Sequence, residues 1–213
     1  MEFADKMEKE LKFPVVIYAE STPNPASMKF VADRLLLRGN ATAEYKNASE
    51  TKGSPLAQEL FKFPFVKNVF ISYNYISITR SDAVSWEEVM HEVRDFLKKF
   101  IDSGKEIVTE VPQKEIHTDS TFKDTTTVFT EHAIPQNETE HKIVEVLEQY
   151  IRPAVENDGG LITFKSFANG IVTVVLKGSC SGCPSSTITL KAGIEALLKR
   201  LVPGVNEVVA EEA

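Results

Sequence analysis

Cysteine is scarce in this sequence, with two among 213 positions. A disulfide needs two thiols and a closed tetrahedral metal site needs four ligands, so one chain cannot build a four-cysteine centre by itself. Positive charge is also short. Lys and Arg number 24 against 31 Asp and Glu, leaving a net charge of −7. That balance argues against a nucleic-acid partner, which needs a cationic face to displace counterions, and against docking on anionic lipid. Long apolar runs are missing as well: nothing approaches the ~18–20 residues that span a bilayer. The opening MEFADKMEKELKF is acidic and has neither a secretory nor a transit-peptide composition. The expectation is a cytoplasmic protein without nucleic-acid or membrane partners. An organelle matrix is the alternative, since a transit peptide can already have been removed.

What is present is an ordinary apolar content of 42%, enough for a packed core, in a chain long enough for one large domain or two small ones. Patterning divides it into three: a domain over 1–104, a linker over 105–137 and a second domain over 138–213. The linker is rich in Thr, Lys and Glu, shows no sustained period, and reads as flexible because its scattered apolar residues bury too little to offset ordering entropy. Its histidines, His117 and His132, have no partner at ligand spacing.

In the first domain, strands are expected at Val15–Tyr18, Met28–Val31 and Leu35–Leu37. STPNPASMKF lies between the first two, with Pro23 and Pro25 forcing an extended or turning backbone; it is either a recognition loop or a proline-fixed corner. Ser54-Pro55 opens a helix that should stop near Pro64. NVFISYNYISITR reads as two strands around a turn at Tyr73-Asn74. Ser85 and Glu88 form a capping box before an apolar stripe running from Trp86 to Ile101, and Gly104 ends that helix. Trp86 and His91 sit there as ordinary helix residues, and no catalytic constellation is visible in this domain.

The second domain starts with a helix carrying Ile143, Val144, Leu147, Tyr150, Ile151, Ala154 and Val155. Pro153 should kink or restart it, and Asp158-Gly159-Gly160 stops it. Asn169-Gly170 between two alternating runs predicts a β-hairpin. A helix from Pro184 and a closing strand VNEVVA complete an α-β-β-α-β order. The fold class expected is α+β, with a three-stranded sheet covered by two helices.

Both cysteines, Cys180 and Cys183, stand in KGSCSGCPSST, between a strand end and a helix start. Pro184 suits the first helical position, so helix N–H groups and the positive dipole end should favour thiolate. Gly178 and Gly182 let backbone N–H groups turn inward, and Ser179, Ser181, Ser185 and Ser186 add small donors. Four readings compete. An incidental turn fits poorly with two thiols clustered in a glycine-rich loop. A thioredoxin-like pair would follow the first strand of a βαβ unit with an aromatic before the first cysteine, whereas a hairpin and Ser179 precede Cys180. Zinc lacks two ligands, with only His141 nearby, one helix away. An iron–sulfur cluster shared by two chains gains four thiolates from two copies around a two-fold axis, and a site split between subunits releases its metal when they part.

IRPAVENDGG together with LKGSCSGCPSSTITLK resembles the NifU-like C-terminal domain over residues 140–212. STPNPASMKF and SPLAQELFKFPFVKNVFI resemble the Nfu N-terminal domain over residues 15–101. The two motifs IRPxxxxDGG and GxCxxCPxSxxTL are far more specific than CxxC alone. The resemblance implies a non-enzymatic carrier with a 4Fe–4S cluster bridging a homodimer through Cys180 and Cys183 and delivered to apo-proteins. A 2Fe–2S cluster fits four thiolates equally well, so cluster type rests on the resemblance. The additional scaffold and ferredoxin-type domains of full-length NifU have no counterpart here, which implies clusters received from upstream assembly proteins. The alternative of a different class is a dithiol/disulfide oxidoreductase cycling Cys180 and Cys183.

Overall fold

The computed structural model describes residues 13–39, 41–110, 131–181 and 184–212. The chain has an α+β fold built on two sheets. Strands β1 (Ile17–Ser21), β2 (Ser27–Ala32), β3 (Ala43–Tyr45), β4 (Val66–Ile71) and β5 (Tyr75–Arg80) form a five-stranded sheet in the order β1-β2-β5-β4-β3, with every pairing antiparallel. Helix α1 (Pro55–Leu60) starts at Ser54, whose Oγ accepts from Ala57 N at 3.1 Å. It ends at Leu60, one turn earlier than the proline at 64 suggests, because Phe61 and Lys62 close it with short-range backbone bonds to Ala57 and Glu59. Helix α2 (Trp86–Asp102) has the expected capping box of Ser85 and Glu88. Its Val93, Leu97 and Phe100 share one core with Phe30, Val69, Ile71, Ile76 and Ile78 from one face of the sheet. Trp86 is part of that core; its Nε1–H donates to Ala26 O at 3.1 Å and its ring meets Phe30 edge-on.

One expected strand is absent. Leu35–Leu37 is a bend whose Leu36 and Leu37 N–H groups both donate to Tyr73 O, so it closes over the β4–β5 turn instead of pairing in the sheet. The third strand is Ala43–Tyr45, too short to show a period.

In the C-terminal half, α3 (Glu138–Val146) passes into a π-helical turn at Leu147–Ile151 and then α4 (Arg152–Asn157). Pro153 is the physical cause. It has no N–H to donate, and the ladder widens just before it, with Arg152 N–H reaching Leu147 O. Strands β6 (Gly160–Ala168) and β7 (Ile171–Gly178) form the predicted hairpin, with Asn169 at φ 52° and Gly170 at φ 80°. Both positive angles are those a two-residue primed turn requires. After α5 (Pro184–Leu201), β8 (Glu207–Glu212) pairs parallel to β7, completing the three-stranded sheet β6-β7-β8. Ile143, Leu147, Val155, Ile194 and Leu198 pack with the sheet in a second core.

Both described ends of the 105–137 stretch are hydrogen-bonded to the rest of the fold. Thr109 and Glu110 N–H donate to Gly53 O. On the other side His132, its side chain 2% exposed, accepts the Phe164 N–H at Nδ1 (2.7 Å) and faces Glu148 through Nε2, while Ala133 N–H donates to Phe164 O. Residues 111–130, with His117, lie outside the described residues.

Since Nδ1 is already an acceptor, the imidazole is neutral, and burial lowers its pKa below the ordinary 6.5 against the pull of Glu148. On acidification the unfolded chain therefore takes up this proton first, so stability is full above the ordinary value and falls as pH drops through the lowered one. We expect the urea midpoint to fall between about pH 7 and 5, and His132→Ala, though less stable at neutral pH, to flatten that slope.

Candidate functional site

The cysteine loop leaves β7 at Gly178, whose φ is +69°. The turn is tied by hydroxyls to main chain. Ser181 Oγ donates to Gly178 O at 2.9 Å and Ser179 Oγ donates to Asp158 O, while Ser179 N–H donates to Gly159 O at 3.2 Å. Ser179 and Ser181, expected as small donors to the site, thus donate to backbone; Ser179 Oγ lies 4.0 Å from Cys180 Sγ. Cys180 is buried at 7% exposure and joins the C-terminal core. Cys183 lies outside the described residues, as do Gly182 and the side chains of Ser185 and Ser186.

Burial drives the Cys180 thiol upward to about 11, with Ser179 opposing and the Asp158 charge adding to the rise. This reverses the thiolate expected at this position. The reason is placement: α5 begins at Pro184, but Cys180 is part of the C-terminal core. A metal held by that sulfur would displace its proton, since a coordinating thiol is deprotonated.

Asp158-Gly159-Gly160 does more than end a helix. Gly159, at φ +78°, is the helix stop. Gly160 serves the sulfur instead, because a Cβ there would sit 2.6 Å from Cys180 Sγ and 2.8 Å from Lys177 O. The sulfur packs against β6 there because that Cβ is missing. The doubled glycine is the signal available in the sequence, because one glycine suffices to stop a helix.

The N-terminal sheet closes over this loop. Tyr75 Oη donates to Gly160 O at 2.9 Å, Ser77 Oγ to Gly159 O at 2.6 Å, and Asn24 Nδ2 to Ser179 O at 3.1 Å. Lys29 Nζ donates to Asn157 O at 3.1 Å, and Glu44 Oε1 accepts the Gly178 N–H at 2.9 Å. Phe70, Tyr75 and Leu161 form a small apolar cluster between the halves. Asn24 also accepts the Ala26 N–H at 3.0 Å, so STPNPASMKF is a built corner that reaches the cysteine loop.

The sequence matches two family models: the scaffold protein Nfu/NifU N-terminal domain over residues 17–104 and the NifU-like domain over residues 143–209. It is 33% identical over 202 residues to the human NFU1 iron–sulfur cluster scaffold homolog, mitochondrial, covering 92% of this chain and 73% of that one. The chain belongs to the Nfu family of iron–sulfur cluster scaffolds. Other Nfu relatives include the NFU1 homolog of Drosophila ananassae, 35% identical over 90% of this chain, and NifU-like protein 4, mitochondrial, of Arabidopsis thaliana, 35% identical over 92%. This chain spans 63% and 65% of the length of those two. Among the described residues no helix is long and apolar enough to cross a membrane.

Two glycines separate steric need from mere presence. Gly160→Ala should destabilise the apo-protein by about 1–3 kcal/mol, the usual cost of overpacking. Gly193→Ala, on α5 with nothing within 4 Å of the added carbon, should stabilise by roughly 0.5–1 kcal/mol through helix propensity. Urea unfolding of both variants beside the parent checks the pair.

Proposed function

We propose that this Nfu protein carries a 4Fe–4S cluster between two copies of itself on Cys180 and Cys183 of each, and delivers it to apo-proteins. The observation that carries the reading is the thiol inventory. A cluster needs four thiolates, the sequence has two, and both stand in one loop. Two loops around a two-fold axis supply the set, and the contact is then isologous. Ile188, 69% exposed one turn into α5, offers an apolar rim for such a contact.

The two sheets act in this reading as an N-terminal domain over 1–104 and a cluster-binding domain over 138–213, joined by 105–137. Clusters come from upstream assembly proteins and pass to apo-targets, with no chemistry catalysed. The relatives named mitochondrial support the organelle-matrix alternative to a cytoplasmic setting.

A dithiol oxidoreductase is the rival reading. It requires an accessible attacking thiolate, and a buried Cys180 held protonated weighs against it. Native mass spectrometry after anaerobic reconstitution with iron and sulfide decides between them. We expect a dimer carrying one 4Fe–4S mass, and loss of both cluster and dimer in Cys183→Ser. A metal-free monomer two hydrogens lighter than its reduced form, with a mixed disulfide trapped on Cys180 in Cys183→Ser, would overturn the carrier.

A further inference from the structure

The outer face of the five-stranded sheet is the least expected surface of the molecule. In β5, Ile76 and Ile78 face the helices, so Tyr75, Ser77 and Thr79 belong to the opposite face and read as solvent-facing. Yet Tyr75 is 5% exposed and Ser77 2%, because the C-terminal half lies on them. What that half presents is main chain: the carbonyls of Asn157, Gly159, Gly160 and Ser179 and the N–H of Gly178. These groups flank Cys180 on both sides, through the residue before it and through the glycine that leaves room for its sulfur.

We propose that this face, formed by Lys29, Glu44, Tyr75 and Ser77 with Asn24 at its edge, is a docking surface for the chain's own cysteine loop, and that the loop meets a second copy only after the sheet lifts away. The occupant is fixed by complementarity. Four side-chain donors meet four carbonyls and one carboxylate oxygen meets one N–H, and Gly159 and Gly178 lack the side chains that would hold the surfaces apart. A Cβ at Gly159 would come 2.6 Å from Ser77 Oγ, and one at Gly178 2.9 Å from the Phe70 ring.

The interface is also built to open. Among the described residues its apolar part is Phe70, Tyr75 and Leu161, with Val31 at the margin, and these are joined by hydrogen bonds to groups that water satisfies equally well once exposed. Small, polar contacts between domains of one chain behave as transient interfaces. A loop covered in this way is protected until a competing contact, such as a second copy with a cluster, stabilises the open form. Only the purpose of opening rests on the cluster-bridging reading; the docking stands on the contacts alone.

The test uses the 213-residue apo-protein without iron. Ser77→Arg places a long charged side chain in the interface from the N-terminal side and leaves the cysteine loop unaltered. Tyr75→Phe, combined with Asn24→Ala, removes two of the hydrogen bonds with little change of shape. Small-angle scattering should give a larger radius of gyration for both variants than for the parent. Peptide-mapped alkylation of Cys180 by N-ethylmaleimide should be at least about tenfold faster in Ser77→Arg, the change expected when a mostly closed population becomes mostly open. Circular dichroism should be unchanged, which separates opening from unfolding. An unchanged alkylation rate in both variants, or a parent already extended in solution, would overturn the proposal and leave the carrier reading standing. Failure of any form to bind a cluster would overturn the carrier reading and leave the docking intact.

Discussion

The approach of Gly160 to Cys180 is the constraint from which most of this structure follows. A sulfur can occupy the inside of the loop only where the first residue of β6 has no side chain, and β6 is brought there by the helix that stops at Gly159. That stop depends on the register of α3 and α4, which Pro153 adjusts through the π-helical turn. Each upstream element is therefore tied to the position of one thiol. Ser179 and Ser181 complete the arrangement by fastening the loop to the carbonyls of Asp158 and Gly178, and burial raises the pKa of the Cys180 thiol within it.

Local signals are legible wherever a residue's own chemistry dictates the backbone. Asn169-Gly170, Ser54-Pro55 and the Ser85–Glu88 capping box all stand where the sequence places them, and the order of the C-terminal elements follows from their periods. The failures have a shared origin. β3 is too short to show a period, and Leu35–Leu37 has strand-like residues but donates to a turn carbonyl contributed by another part of the chain. His132 has no partner along the sequence because Phe164 and Glu148 are brought to it only by folding. The sequence places Cys180 by its distance along the chain to a helix, whereas the environment of its thiol is set by what covers it.

The outer face of the sheet shows the same limit in another form. Alternation in β5 separates two faces but does not say what each one meets. A polar face predicts water, and here it meets main chain instead, whose carbonyls offer the same hydrogen bonds as water does. A surface that binds backbone has the composition of a surface that binds nothing, so its partner is invisible in the pattern of residues.

The parallel pairing of β7 with β8 bears on how the protein is made. Parallel neighbours need a crossover, and here the cysteine loop and α5 form it. Both cysteines precede β8 in the chain, so they are made before the strand that locks β7 in place. Until then Cys180 has no finished core to enter, so the nascent chain passes through an interval in which its thiols are open to oxidants and stray metal ions. The core that receives the sulfur is thus completed last, by the strand that follows it.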